Sequence, residues 1–289
     1  MALFSTVDRE LYCKEHFPET WDVRIQYLGT AGFVFECQDH TLVVDPYITR
    51  PGIWPTLTQK LVPDPALIAS YIPKADDVLI GHAHHDHALD APDLCKMTGA
   101  RLIGSHSTCN IGRAAGLPEH QMLEISGGEE ISCGPHTVRG LPSRHGKVAL
   151  GRIPLPGIIS SVPQWPMRVT AFRHGQVFNW HLNLNGVRIV HIDSADFIDE
   201  ELGVERADIL CLCAAGRKYR PDYVATAIEL LKPSIVIPCH WDIFTTPIAA
   251  PPLLIPGIHL DGMMNEIREC GSRAVLLPIL GEYGYSKTS

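Results

Sequence analysis

The sequence predicts an α/β (α+β) fold in which two β-sheets pack face to face with helices outside them, a four-layer αββα sandwich. Three observations predict it. A group of short β-type runs opens the chain, and a second group opens near its middle. Each group gives way to alternating β and α segments. Hydrophobic residues make up 45% of the 289, enough to fill a core between sheets.

The first half begins with VRIQYL (23–28), GFVFEC (32–37) and TLVVDP (41–46), separated by GTA and QDH. That spacing reads as antiparallel strands joined by tight turns. DVLIGH (77–82) is a buried strand that ends at a histidine-rich loop. A helix follows near 91–98, then strand RLIGS (101–105) and helix STCNIGRAAG (107–116), stopped by Gly116 and Pro118.

The second half starts near Gln121. HTVRGLPSRH (136–145) is a strand running out into a loop. VFNWHLNLNGVRIVHID (177–193) is two alternating runs about NLNG, a strong hairpin signal. Strand and helix then alternate through ADILCLC (207–213), helix 222–232, SIVIPCH (234–240), helix 262–270 and RAVLLPIL (273–280). We read 1–289 as a single domain of this fold, with two apolar insertions at 146–168 and 246–260. The first holds four prolines and no steady period. Both are too long for plain connectors and too apolar for solvated loops. They pack on each other, on a second subunit, or over a substrate pocket. Sparse basic residues disfavour a membrane-facing lip.

Net charge is −8 and no basic run is present, which argues against a general nucleic-acid surface. No eighteen consecutive residues are apolar, so no membrane span is expected. The first twenty residues carry Asp8, Arg9 and Glu10 without a long apolar stretch, unlike a signal peptide. The nine cysteines form no CxxC pair, and Cys211 and Cys213 alternate in a buried strand. They read as reduced thiols of a cytoplasmic protein.

The chemistry concentrates in GHAHHDHALD (81–90). Four of the fifteen histidines and one aspartate fall between His82 and His87. An expression tag would be terminal and nearly pure histidine. This tract is internal, follows a strand, and is interrupted by Ala83 and Asp86. Imidazole and carboxylate donors suit zinc and similar divalent ions. Further donors must come from elsewhere, and His145, Asp193 and His240 each lie just beyond a strand. His136 competes with His145, but it opens a strand where His145 closes one. Asp196 falls too late after its strand to compete with Asp193.

Taken in order, Asp45 in LVVDP, the HAHHDH loop, His145, Asp193 and His240 resemble the metallo-β-lactamase superfamily of metal-dependent hydrolases. The tail from ADILCLCAAG to PCHWDIF is similar to the branch containing L-ascorbate-6-phosphate lactonase. The broader branch with N-acylphosphatidylethanolamine phospholipase D is similar too. The resemblance implies two divalent ions per chain, Zn2+ first, with Mn2+ or Fe2+ admitted by the same donors. It implies that His82, His84 and His145 hold one ion, that Asp86, His87 and His240 hold the other, and that Asp193 bridges them. Asp45 would orient the histidine loop, and His85 would point away or donate to substrate. Asp86 would also accept a proton from the nucleophile. The implied reaction is hydrolysis of an ester, lactone or phosphodiester by a metal-bridging hydroxide. The chain departs from the pattern at Ile192-Asp193, where a Gly-Asp pair is usual, and in the insertion after His145.

His106, Trp165 and Trp241 are candidate substrate contacts, and Asp242 and Phe244 join Trp241 beside His240. His174, His181 and His191 read as packing or surface residues. Three rival functions are a di-iron redox centre, a non-catalytic metal scaffold and a nuclease. Position 84 is His, where the redox members have an acid. Every ligand position is filled, unlike a scaffold, and the acidic charge disfavours a nuclease. A small-molecule substrate with an apolar portion is expected, and a homo-oligomer stays open.

Overall fold

A computed structural model of the chain describes residues 5–13 and 20–287. The opening stretch read above as lacking a signal sequence lies partly outside them. The strands are Val23–Gly29 (β1), Gly32–Cys37 (β2), His40–Val44 (β3), Lys60–Leu61 (β4), Asp77–Leu79 (β5), Arg101–Gly104 (β6), Met122–Glu124 (β7) and Glu130–Cys133 (β8). They continue as His136–Ser143 (β9), Met167–Arg168 (β10), Val177–Leu184 (β11), Val187–Ile192 (β12), Ile209–Cys213 (β13), Ile235–Cys239 (β14), Arg273–Ala274 (β15) and Glu282–Tyr285 (β16). The helices are Ile53–Thr58 (α1), Pro65–Tyr71 (α2), His85–Ala88 (α3), Ala91–Thr98 (α4), His106–Ala114 (α5), Asp199–Leu202 (α6), Tyr223–Leu231 (α7) and Leu260–Glu269 (α8).

Two seven-stranded sheets result, ordered β16-β1-β2-β3-β5-β6-β7 and β15-β14-β13-β12-β11-β9-β8. Each runs antiparallel through its hairpins and parallel where helices intervene. In the first sheet β3, β5 and β6 are parallel. In the second β12, β13 and β14 are parallel. Parallel strands need a crossover, and a crossover helix covers a sheet face. The antiparallel ones are joined by turns such as Asn185–Gly186, with both residues left-handed.

Period-two patterning sorts side chains between layers. In β2, Phe33 and Phe35 join the core between the sheets, with Trp180 and Leu182 of β11. Val34 of β2 faces the other way, into the apolar layer beneath α4 and α5 with Leu94 and Ile111. Each such side chain contributes roughly 1.5–3 kcal/mol when fully buried. The central strands β13 and β14 are buried at every position, as strands covered on both faces must be. No helix among the described residues is long and apolar enough to cross a membrane. No disulfide joins the nine cysteines, seven of which are buried.

The expected sandwich is present, with four local differences. Helices α1 and α2 fill 46–76, where no element was read. Asp64 caps α2 by accepting from Leu67 N, and Pro65 opens it, a local signal that could have been used. β7, read as the start of the second half, adds to the first sheet beside β6. RAVLLPIL supplies only the two-residue β15, because the run is buried without alternation and meets Pro278. The chain then crosses to the first sheet, where β16 pairs with β1. The insertion 146–168 ends in β10, which pairs with β4.

Candidate metal centre

The site forms where strands of both sheets end. β5 stops at Leu79, and the chain bends at Gly81, His82 and His84 before the single turn of α3. These bends bring the rings of His82 and His84 to 4.6 Å from each other. The helical turn then carries Asp86 and His87. Asp45 follows β3, His145 follows β9, Asp193 follows β12 and His240 follows β14. Asp45 and His240 are left-handed, with φ of 46° and 52°. Such a backbone is uncommon for residues with a side chain and marks a turn held by its surroundings.

Three groups of donors converge. His82, His84 and His145 lie with ligand atoms within 4.8 Å of one another; so do Asp86, His87 and His240. His82, His87 and Asp193 form a third group that shares one histidine with each. His82 Nδ1 lies 2.6 Å from Asp193 Oδ2, and its Nε2 lies 2.9 Å from His84 Nδ1. Asp86 Oδ2 is 3.5 Å from His240 Nε2 and 3.8 Å from His87 Nε2. Every one of these residues is buried.

Outer contacts set the imidazoles. His145 Nδ1 donates to Gly146 O at 2.7 Å, which leaves its Nε2 lone pair for the site. His87 Nδ1 lies 3.0 Å from Asp45 Oδ2, though off the line of a good hydrogen bond. The other Asp45 oxygen accepts from Gly81 N at 2.8 Å, tying the start of the histidine loop. Gly81 itself allows a close approach: a Cβ there would sit 2.1 Å from Asp193 Oδ2.

The charge balance is unusual. Burial pushes His82, His84 and His87 well below the usual imidazole range, so they are neutral. Burial opposes ionisation of Asp86, yet His87 and the contact with His240 hold its carboxyl well below the usual carboxylate range. Burial, and then the charge of Asp193, drive Asp45 well up. Burial raises Asp193 too, against the pull of His87 and His191. Among the described residues no lysine or arginine pairs with Asp45, Asp86 or Asp193; their ionic partners are histidines alone. His84 Nε2, His240 Nδ1 and Asp193 Oδ1 are buried without a hydrogen-bond partner. Neutral imidazoles around buried carboxylates, with lone pairs left over, fit divalent cations.

Other expected residues fall elsewhere. His85 is ringed by Tyr47, Phe172 and Phe244 at 5.8, 6.2 and 5.8 Å, belongs to none of the three donor groups, and has Nδ1 3.7 Å from Asp86 Oδ1. His106 engages Glu124 with one nitrogen and Asn110 with the other. Trp165 packs on Phe172, one ring removed from His85. Trp241 is fully buried in the core, against Tyr12 and Tyr27. His136 accepts from Asn185 N and donates to Cys37 O, remote from the donor groups. His191 donates to Ala31 O at 2.8 Å. Asp196 pairs with Arg220.

Sequence reasoning missed His174. Its ring lies 5.9 Å from that of His84 and stacks 5.8 Å from that of His145. Nδ1 donates to Gly175 O at 2.6 Å. Ala83 N donates to His174 O, which ties this segment to the histidine loop. Nothing local marks it; only the return of the insertion to the sheet brings it there. A pocket of about 410 Å³ opens beside it, lined by Pro142, Arg144, His145, Ile153, His174 and Phe178 among others.

Residues 24–240 match the family model described as beta-lactamase superfamily domain. A protein of Pyrobaculum arsenaticum, named a metal-dependent hydrolase, is 28% identical over 236 residues, covering 77% of this chain and 85% of its own. A solved metallo hydrolase from Ignicoccus hospitalis has a TM-score of 0.62 at 18% identity, covering 91% of this chain and 99% of that one. A di-iron β-hydroxylase from Streptomyces venezuelae has a TM-score of 0.58 at 15% identity, covering 91% of this chain and 54% of that one. These two structures share the fold.

Proposed function

The chain belongs to the beta-lactamase superfamily domain family, and from that premise we propose that it is a hydrolase with a two-ion centre. One observation carries this reading: three buried carboxylates and five buried imidazoles converge with no lysine or arginine among the described residues to balance them. His82, His84 and His145 would hold one ion, and Asp86, His87 and His240 the other. Asp193, facing both histidine sets, would bridge. Zinc suits these donors best. Relatives named metal-dependent hydrolases support the same chemistry.

Divalent ions held there lower the pKa of water and draw electron density from a carbonyl or phosphoryl oxygen. The protein's own groups do the rest. Asp86 accepts the proton of the attacking water at its carboxylate. Asp45 keeps the histidine loop and Gly81 in register. His174 Nε2, left open by the bond from Nδ1 to Gly175 O, accepts a hydrogen bond from the bound substrate. The water oxygen adds to the carbonyl carbon or phosphorus, and the leaving oxygen departs with a proton.

The pocket beside His145 mixes Pro142, Ile153 and Phe178 with Arg144. It suits a small ester, lactone or phosphodiester with an apolar portion next to the scissile bond. Elemental analysis of dialysed protein should return close to two equivalents of metal. A panel of lactone, phosphodiester and thioester substrates should then show turnover that chelator abolishes and zinc restores. A folded, metal-free preparation that takes up no ion would end this reading.

A further inference from the structure

His240 is held differently from His145, whose Nδ1 donates to Gly146 O. His82 Nδ1 engages Asp193, and His87 Nδ1 lies 3.0 Å from Asp45 without a good hydrogen bond. His240 Nδ1 is buried with no partner. Its ring meets Phe244 edge-on at 6.0 Å, a packing contact alone. Among the described residues no outer hydrogen bond orients this imidazole, so its placement depends on its backbone.

That backbone is gripped from one turn. His240 N donates to Thr30 O at 2.5 Å, and Thr30 N donates to Asp242 Oδ1 at 2.7 Å. The Thr30 residue is thus held on both sides by the segment His240-Trp241-Asp242. The Tyr27 hydroxyl lies 3.0 Å from Thr30 O and 3.1 Å from Asp242 Oδ1. Arg50 closes the arrangement. Its Nη1 reaches Asp242 Oδ2 at 2.7 Å, and its Nη2 reaches Leu28 O and Thr30 Oγ1 at 3.2 and 3.3 Å. Its Nε donates to Tyr47 O at 3.2 Å, close after Asp45 in the chain. Thr30, Arg50 and His240 are all left-handed, with φ of 51°, 41° and 52°. Gly29 makes room for the guanidinium: a Cβ there would lie 2.0 Å from Arg50 Nη2.

The side chains of Arg50 and Asp242 are each only 1% exposed. A buried ion pair is weak support for stability, since apolar residues of similar volume often serve as well or better. Its best-attested use is to fix register. Here it joins the turn after β1, the loop after β3 and the loop after β14, and the last two carry Asp45 and His240.

We propose that Arg50 and Asp242 are positioning residues that hold His240 in place as a metal ligand, acting through the Thr30 peptide. This role rests on the two-ion reading above. The pair belongs to none of the three donor groups. It sets where the His240 backbone sits and therefore how Asp86, His87 and His240 converge.

The test titrates metal-free protein with Zn2+ by calorimetry and reads the melting temperature of the same metal-free samples. The variants are Asp242→Asn and the double variant Arg50→Met with Asp242→Leu. Wild type should take two ions. In the double variant the melting temperature should stay near that of wild type, while the second ion binds tenfold or more weakly and the first is unchanged. Asp242→Asn should weaken the same ion in the same sense. Equal weakening of both ions, or a second ion within threefold of wild type in either folded variant, overturns the role. Loss of the folded state in both variants overturns it as well, since the pair would then hold the fold. A wild-type chain that takes fewer than two ions overturns the two-ion reading and this role together; two ions bound with wild-type affinity in every variant overturn this role alone.

Discussion

Gly81→Ala removes no donor and adds one methyl group, yet the structure predicts that it disables the centre. Gly81 is not in the left-handed region, so alanine meets no backbone penalty there. The obstacle is steric. The new Cβ would lie 2.1 Å from Asp193 Oδ2, 2.7 Å from Asp193 Cγ and 3.1 Å from Phe178 O. Side-chain carbons do not approach other atoms closer than 3.0 Å, so the carboxylate and the loop must part by about 1 Å, taking ordinary contact as the limit. The 2.6 Å contact between Asp193 and His82 cannot survive that movement. A misplacement of this size can lower a rate by about 10²-fold. Misplaced donors lose roughly 10–100-fold in metal affinity, about 1.4–2.8 kcal/mol. Metal content, zinc calorimetry and turnover on the best panel substrate would be measured beside Gly52→Ala. Gly52 is a suitable control because a Cβ there meets its nearest atom at 3.8 Å. A Gly81→Ala protein with wild-type metal content and rate would refute the argument, and Asp193 would then not be a ligand held at this spacing.

His145→Ala should strip one ion and nearly all hydrolysis, as elemental analysis and turnover would show. His136→Ala should keep both ions but lower stability by about 1–3 kcal/mol, since it orphans Cys37 O and Asn185 N; the reverse pattern would move the ligand. Burial pushes the Asp90 carboxyl up to about 6, against the pull of Thr49 and Ile48. Unfolded aspartate titrates near ~3.9, so between about pH 4 and 6 the folded state binds more protons. Stability from this group is therefore full below about pH 4 and is lost as pH rises through about 6, a difference of ~3 kcal/mol. Asp90→Asn should remove that slope from melting temperature against pH, and parallel curves for the two proteins would contradict it. Trp165→Ala should raise KM for long apolar substrates more than for short ones, with gel-filtration size unchanged. Leu254→Ala, beside the bridge to Asp242, should lower melting temperature without regard to substrate length; dissociation of an oligomer in either variant would favour an interface instead.

What the sequence determined by itself was local. HxHxDH needs only six consecutive residues, a bent stretch followed by one helical turn. The hairpin 177–193 was legible because Asn185 and Gly186 accept the left-handed backbone its turn demands. The helix 91–98 was legible from its periodicity and the glycine that ends it. The strand-end positions of His145, Asp193 and His240 followed from the same patterning, because a strand's end can be read without knowing its neighbours. Tertiary structure decided what depends on which ends meet. His82 reaches Asp193 across 111 residues, and Arg50 reaches Asp242 across 192. No periodicity carries a pairing at that separation. Period two says that a residue faces one side of a sheet, but not what lies opposite. Trp241 therefore read as a pocket residue and is core, while His174 read as packing and stands beside His84 and His145. The last strand shows the same limit. Its own residues do not say which sheet it joins, because an edge strand pairs wherever backbone N–H and C=O groups are left open, and β1 offered that edge.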